Sequence, residues 1–136
     1  IIIQTSQPTH STIKNVMDND FFSMYQTHLH YRKEFMYPPF YRMIRILLKH
    51  RKREILDDAS QLLKNHLNTA FGYRVLGPQD PLVGRVQNYF LKHILIKIEK
   101  EKSLNKSKKA IREISSRIRN LDKFKSIQIH FDVDPM

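Results

Sequence analysis

Between Arg42 and Lys49 the chain alternates: Ile44, Ile46 and Leu48 fall on one face, Arg45, Leu47 and Lys49 on the other. A period of two predicts a strand with one buried side. From about Arg53 the period lengthens, and Ile55, Ala59, Leu62, Leu63, Leu67 and Ala70 make one helical stripe closed by Gly72. Tyr73 to Leu76 predicts a short strand ended by Gly77-Pro78, and Pro81 and Gly84 punctuate a loop. Asn88 to Ile98 predicts a longer strand, with Ile94, Ile96 and Ile98 on one face. Ala110, Ile111, Ile114, Ile118 and Leu121 are the inner stripe of a second helix. Ile127, Ile129, Phe131 and Val133 then alternate with Gln128, His130, Asp132 and Asp134, which predicts a last strand.

The predicted order is β-α-β-β-α-β. Right-handed crossovers and a single apolar stripe per helix put both helices on one face of an antiparallel sheet, an α+β sandwich of ferredoxin-like type. The other face is left uncovered and presents Arg45, Lys49, His93, Lys97, Gln128 and His130. Ahead of this unit, Ile1 to Thr5 is a β-branched run that reads as a buried strand closed by Pro8. Its neighbours would have to come from elsewhere, so the expectation is a piece of a longer chain. A helical stretch follows from about Ser11 to Met36, with a break near Asp18-Asn19-Asp20, and Tyr37-Pro38-Pro39 ends it. The chain therefore divides into a leading segment, 1–36, and a compact domain, 37–136.

Charge changes the picture more than composition does. The 136 residues carry a net charge of +11, which favours polyanionic partners. Residues 1–30 hold only Lys14 against Asp18 and Asp20, so the basic character belongs to the rest. Arg42, Arg45, Lys49, Arg51, Lys52 and Arg53 are interrupted by no acid before Glu54, and such a cluster repels itself unless an anion joins it. Nucleic acid is the plainest such anion. A second basic stretch opens at Arg85 and runs to Lys125, with Tyr89 and Phe90 available for base stacking. The candidate nucleic-acid contacts are Arg42, Arg45, Lys49, Arg51, Lys52, Arg53 and Arg85. Many lysines between Lys100 and Lys109 also fit a solvated helix face.

Other chemistry is poorly represented. There is no phosphate loop, no nucleophile elbow and no cysteine, so no catalytic residue is assigned. His28 and His30 point to different helix faces, and Asp132 and Asp134, which share a strand face, suit solvated or capping roles better than a metal site. No apolar run approaches the roughly 18 residues of a membrane span, and the absence of cysteine fits the cytoplasm.

Four stretches carry a family resemblance. Ile1-Ile2-Ile3-Gln4-Thr5, with Pro8 and His10, is similar to a stretch that follows the last motif of the second helicase lobe in the PriA (primosomal protein N′) family. Tyr25, Leu29, Arg32 and Glu34, leading into Tyr37-Pro38-Pro39-Phe40, resemble that family's connector. Val75-Leu76-Gly77-Pro78 and Asp132-Val133-Asp134-Pro135 resemble a turn and the terminus of its C-terminal domain. The connector's usual glutamate is His28 here, and a strand rich in arginine, aromatics and glutamine becomes Tyr89-Phe90-Leu91-Lys92-His93.

The resemblance implies the C-terminal end of a 3′→5′ ATP-dependent DNA helicase of replication restart and primosome assembly. Residues 1–36 would be the end of a helicase lobe and its connector. ATP, Mg²⁺ and Zn²⁺ would be used through residues upstream, and this piece alone would be non-catalytic. Implied partners are forked or single-stranded DNA, other primosome proteins, and the acidic tail of single-stranded DNA-binding protein. For that tail the resemblance points to Arg85, Tyr89, Lys92, His93 and Lys97, with Tyr89 or Leu91 bordering a small apolar pocket. An independent ferredoxin-like module for RNA or the ribosome, and a structural brace that uses its charge for solubility, stand as alternatives.

Overall fold

The computed structural model describes residues 2–135. Helix α1 (Ser11–Met17) and helix α2 (Phe21–Glu34) form the expected broken helical stretch. The break falls at Asn19, which takes a positive φ of 58°, and the Asp20 carboxylate accepts a hydrogen bond from the Ser23 N–H to start α2. Neither helix buries a residue. The rest of the chain is an α+β unit: β1 (Tyr41–His50), α3 (Arg53–Phe71), β2 (Val75–Gln79), β3 (Arg85–Val86), β4 (Tyr89–Glu99), α4 (Leu104–Arg119) and β5 (Gln128–Val133). The strands make one open antiparallel sheet in the order β2-β4-β1-β5, with β3 paired to β4.

The core lies on one side of the two central strands. Ile44, Ile46 and Leu48 of β1 and Ile94, Ile96 and Ile98 of β4 are each at most 2% exposed. The register sets Ile44 against Ile96 and Ile46 against Ile94, so β-branched side chains meet across the strands. Helix α3 covers them with Leu56, Ala59, Ser60, Leu63, Leu67 and Phe71. Ile55 and Leu62 sit at the margin of this contact and Ala70 is exposed, so the expected stripe is turned by about one position. The reason is size and spacing: Leu56, Ser60, Leu63, Leu67 and Phe71 follow the 3.6-residue period more closely, with bulky groups at both ends. Helix α4 adds Ile111 and Ile118. Leu121 is exposed because α4 has already ended at Arg119, and Phe124 from a following single turn fills the core in its place.

Two expectations change. No opening strand forms among Ile2 to Thr5, and Ile2 and Ile3 are 97% and 45% exposed; Ile1 lies outside the described residues. A strand needs a neighbour for its backbone groups, and no described strand lies beside this run. The second strand is shifted. Gly72 to Arg74 form one tight turn after α3, so β2 starts at Val75 and runs through Gly77-Pro78 instead of ending there. The register shifts between Leu76 and Gln79 to absorb this. The loop after Pro81 also carries more order than its sequence suggests: β3 and β4 form a hairpin in which Gln87 and Asn88 both have positive φ, as a two-residue turn demands.

Gly77 is where the sheet tolerates least. Its φ is +100°, and a Cβ there would lie 2.8 Å from the His93 carbonyl oxygen on the neighbouring strand. Gly77→Ala should therefore lower stability by about 1–3 kcal/mol, the range for a strained backbone position. Urea unfolding followed by circular dichroism checks this, and an unchanged midpoint would show that β2 relaxes at no cost.

Candidate nucleic-acid interface

The sheet face away from α3 and α4 is built by strict alternation. Because Ile44, Ile46 and Leu48 point inward, Arg45, Leu47 and Lys49 point out on β1, beside His93, Leu95 and Lys97 of β4. Gln128, His130 and Asp132 of β5 complete the face, opposite Lys49, Leu47 and Arg45. A cleft of about 570 Å³ lies on it, lined by Arg45, Leu47, Leu91, His93, His130 and the loop Pro81 to Val83. Burial, and secondarily Arg45, push the His93 imidazole below its ordinary range, with Asp80 opposing.

The six cations of the first cluster have separate fates. Arg45 lies 2.6 Å from Asp132 across the sheet. Arg53 is held by Asp80 at 2.9 Å and faces Asp57 at 3.8 Å. Arg42, Lys49, Arg51 and Lys52 make no ion pair among the described residues. Of these, Lys49 lies on the open face and Arg51 follows His50, the last residue of β1, in a bend. Lys52 follows at the start of α3. Arg42 belongs to the other face, by parity with Ile44, and sits at the far end of β1, about 30 Å from Arg51. Arg51 lies over the Tyr89 ring, 5.4 Å from its centroid, so a cation and a ring already stand together at the upper end of the sheet.

His50 holds that corner together, and the sequence pattern carried no signal for it. It continues the inward parity of Leu48 and is buried. The Lys52 N–H donates to His50 Nδ1 at 3.0 Å. Nδ1 also lies 3.0 Å from the Lys52 carbonyl oxygen, and Nε2 hydrogen-bonds with Ser126 Oγ at 2.9 Å. The turn that presents Arg51 and Lys52 is thereby tied to the start of β5.

The residues assigned to the acidic tail lie on both sides of the sheet. Tyr89, Leu91, His93 and Lys97 share the open face, while Arg85 and Lys92 lie on the α3 side with Phe90. Arg85 stacks over Phe90 at 5.0 Å and reaches Asn88. Lys92 is half-enclosed and paired with Asp57 at 2.6 Å. Lys97 is 5% exposed, donates to the Phe35 carbonyl at 2.6 Å and lies 4.1 Å from the Tyr37 ring centroid. Burial pushes its ammonium below the usual lysine range. It anchors the elbow after α2 onto the sheet and is not displayed to solvent. Asp132 and Asp134 are also engaged, the first by Arg45 and the second by the Met43 N–H at 3.0 Å. Among the described residues no three His, Cys, Asp or Glu groups converge as metal ligands, and no helix is long and apolar enough to cross a membrane.

Comparison with known proteins bears on the same span. Replication restart protein PriA of Thermotoga maritima is 31% identical over 112 residues, covering 82% of this chain and 15% of the relative. Its namesake in Bacillus subtilis is 26% identical over 99% of this chain, and that in Treponema pallidum 27% identical over all of it. The chain spans only 15% to 20% of the length of these relatives. The sequence pattern of a family described as the primosomal protein N C-terminal domain matches residues 33–136, from the last turn of α2 through all five strands. With most of its length inside that match, the chain belongs to the primosomal protein N C-terminal domain family.

Proposed function

We propose that this chain is the nucleic-acid-facing accessory domain of a cytoplasmic 3′→5′ DNA helicase of replication restart, helping to hold forked or single-stranded DNA during primosome assembly. Family membership supports the restart role. The observation that carries the DNA reading is the corner where Lys49, Arg51 and Lys52 follow closely at the end of β1, free of acidic partners among the described residues, with Arg51 over the Tyr89 ring. Phosphates neutralise the cations and a base stacks on the ring. We also assign the sandwich to the ferredoxin-like type, since β1, β2, β4 and β5, taken in the order β2-β4-β1-β5 with α3 and α4 on one face, follow that arrangement. ATP, Mg²⁺ and Zn²⁺ chemistry would lie with parts of the helicase outside this span. No phosphate loop occurs in this sequence, and the described side chains offer no donor set that fits a metal.

Replacing Lys49, Arg51 and Lys52 by glutamate should weaken binding of single-stranded DNA of any sequence. The slope of log K against log salt should flatten by about 0.7 for each phosphate that is no longer neutralised. Arg42→Glu, on the opposite face, should change neither by as much. Anisotropy titrations of labelled oligothymidylate across salt concentrations measure both effects. Affinity that does not respond to salt would defeat the DNA reading and favour the brace.

The acidic tail of single-stranded DNA-binding protein is the proposed protein partner at the β3–β4 hairpin. Among the described residues Arg85 is bound only by a neutral amide and a ring, whereas Lys92 is committed to Asp57. Arg85→Ala should therefore weaken a tail peptide by several-fold, as loss of an exposed charge pair does. Lys92→Ala should chiefly lower stability. Titration and thermal melting of both variants separate these effects, and equal affinity for Arg85→Ala and the parent would move the tail elsewhere.

A further inference from the structure

At the β5 edge of the sheet, α4 and the last strand stand apart and leave a groove. Two adjoining hollows of about 230 and 130 Å³ share Arg112 and Phe131 in their walls. Phe131 and Val133 form an apolar floor, 41% and 39% exposed although they point to the helix side. The α4 wall carries Lys108, Arg112, Ser115 and Arg119, spaced four, three and four residues apart and so on one face of the helix. None of these three cations is paired with an acid among the described residues. Ser115, at the middle of the stripe, is 4% exposed and its Oγ has no hydrogen-bond partner among the described residues.

The backbone beside this groove is also unsatisfied. The Asp134 N–H donates to the Met43 carbonyl at 2.7 Å, and the Met43 N–H to Asp134 Oδ1 at 3.0 Å. Met43 and Asp134 are therefore a pair that bonds across the two strands. In an antiparallel ladder such pairs alternate with pairs whose N–H and C=O groups point away. Counting along the register, Ile44–Val133, Ile46–Phe131 and Leu48–Ile129 are the pairs that point away. On β5 the outward groups of Ile129, Phe131 and Val133 then face solvent, since β5 is the edge of the sheet. The residues that expose their backbone are the ones whose side chains floor the groove.

We propose that this edge is a docking site for an extended acidic peptide, which adds to β5 as a further strand. Its backbone would pair with Ile129, Phe131 and Val133, an apolar side chain would pack on Phe131 and Val133, and flanking carboxylates would reach Arg112 and Arg119. A second copy of this chain is a poor occupant, because pairing β5 with β5 would bring two cationic rims together on a molecule of net charge +11. The inference does not rest on the DNA reading, which uses the His50 corner and the open face, whereas Phe131 and Val133 point to the helix side.

The probe is a labelled peptide, Thr-Glu-Thr-Val-Thr-Glu-Thr, titrated into the whole 136-residue chain. Arg112→Glu combined with Arg119→Glu should reduce its affinity by about tenfold, the effect of two ordinary surface charge pairs. Val133→Pro deletes one outward donor with every cation in place and should also weaken the peptide. Amide hydrogen exchange at Ile129, Phe131 and Val133 should slow when the peptide is bound. Unprotected amides, or equal affinity for the charge-reversed variant, would overturn the proposal. Protection of the same amides by oligothymidylate, with displacement of the peptide, would give the groove to nucleic acid and overturn it as well.

Discussion

The contact on which everything else depends is the in-register meeting of two isoleucine-rich strand faces. Ile44, Ile46 and Leu48 meet Ile94, Ile96 and the residues around them on one side of β1 and β4 only. Each such side chain contributes about 1.5–3 kcal/mol when fully buried. A slip of one residue would turn all of them to solvent and bring Arg45, Lys49 and Lys97 into the core. The register is therefore strongly imposed, and with it the positions of both helices. It also fixes a second face that no described helix covers and an edge strand, β5, that no other described strand protects.

Electrostatics then sorts the cations that this geometry exposes. Six clustered basic residues become two that are paired and four that are not, among the described residues, because Asp132 and Asp80 arrive from distant elements. Exposed pairs of this kind contribute little to stability. Their consequence is to withdraw Arg45 and Arg53 from any incoming anion while leaving Lys49, Arg51 and Lys52 available. Asp57 does the same to Lys92 on the other face. The basic surface is thus narrower than the net charge suggests, and concentrated at the His50 corner and along α4.

Lys97 shows how the open face is partly closed. A buried ammonium without a carboxylate is costly, and the Phe35 carbonyl and the Tyr37 ring offset this by accepting its charge. The elbow between α2 and β1 is consequently seated on the sheet, although α2 itself buries nothing. The family match, which starts at residue 33, takes in this elbow.

Periodicity alone determined β1, β4, β5 and the two helices of the domain, the inward rows of β1 and β4 and the uncovered face, because alternation and the 3.6-residue stripe are local properties of the chain. The family was legible too, since Val75-Leu76-Gly77-Pro78 and Asp132-Val133-Asp134-Pro135 are short contiguous signatures. The failures are also physical. Leu56, Phe71 and Phe124 enter the core because of how α3 and the turn after α4 sit on the sheet, which a helical stripe cannot specify to within one position. Ile2 and Ile3 have strand-forming side chains but no neighbouring strand, and propensity supplies no partner. The pairings of Arg45, Arg53 and Lys92 join residues 87, 27 and 35 positions apart. Only the tertiary structure decides them, because an ion pair depends on distance in space and the sequence records only distance along the chain.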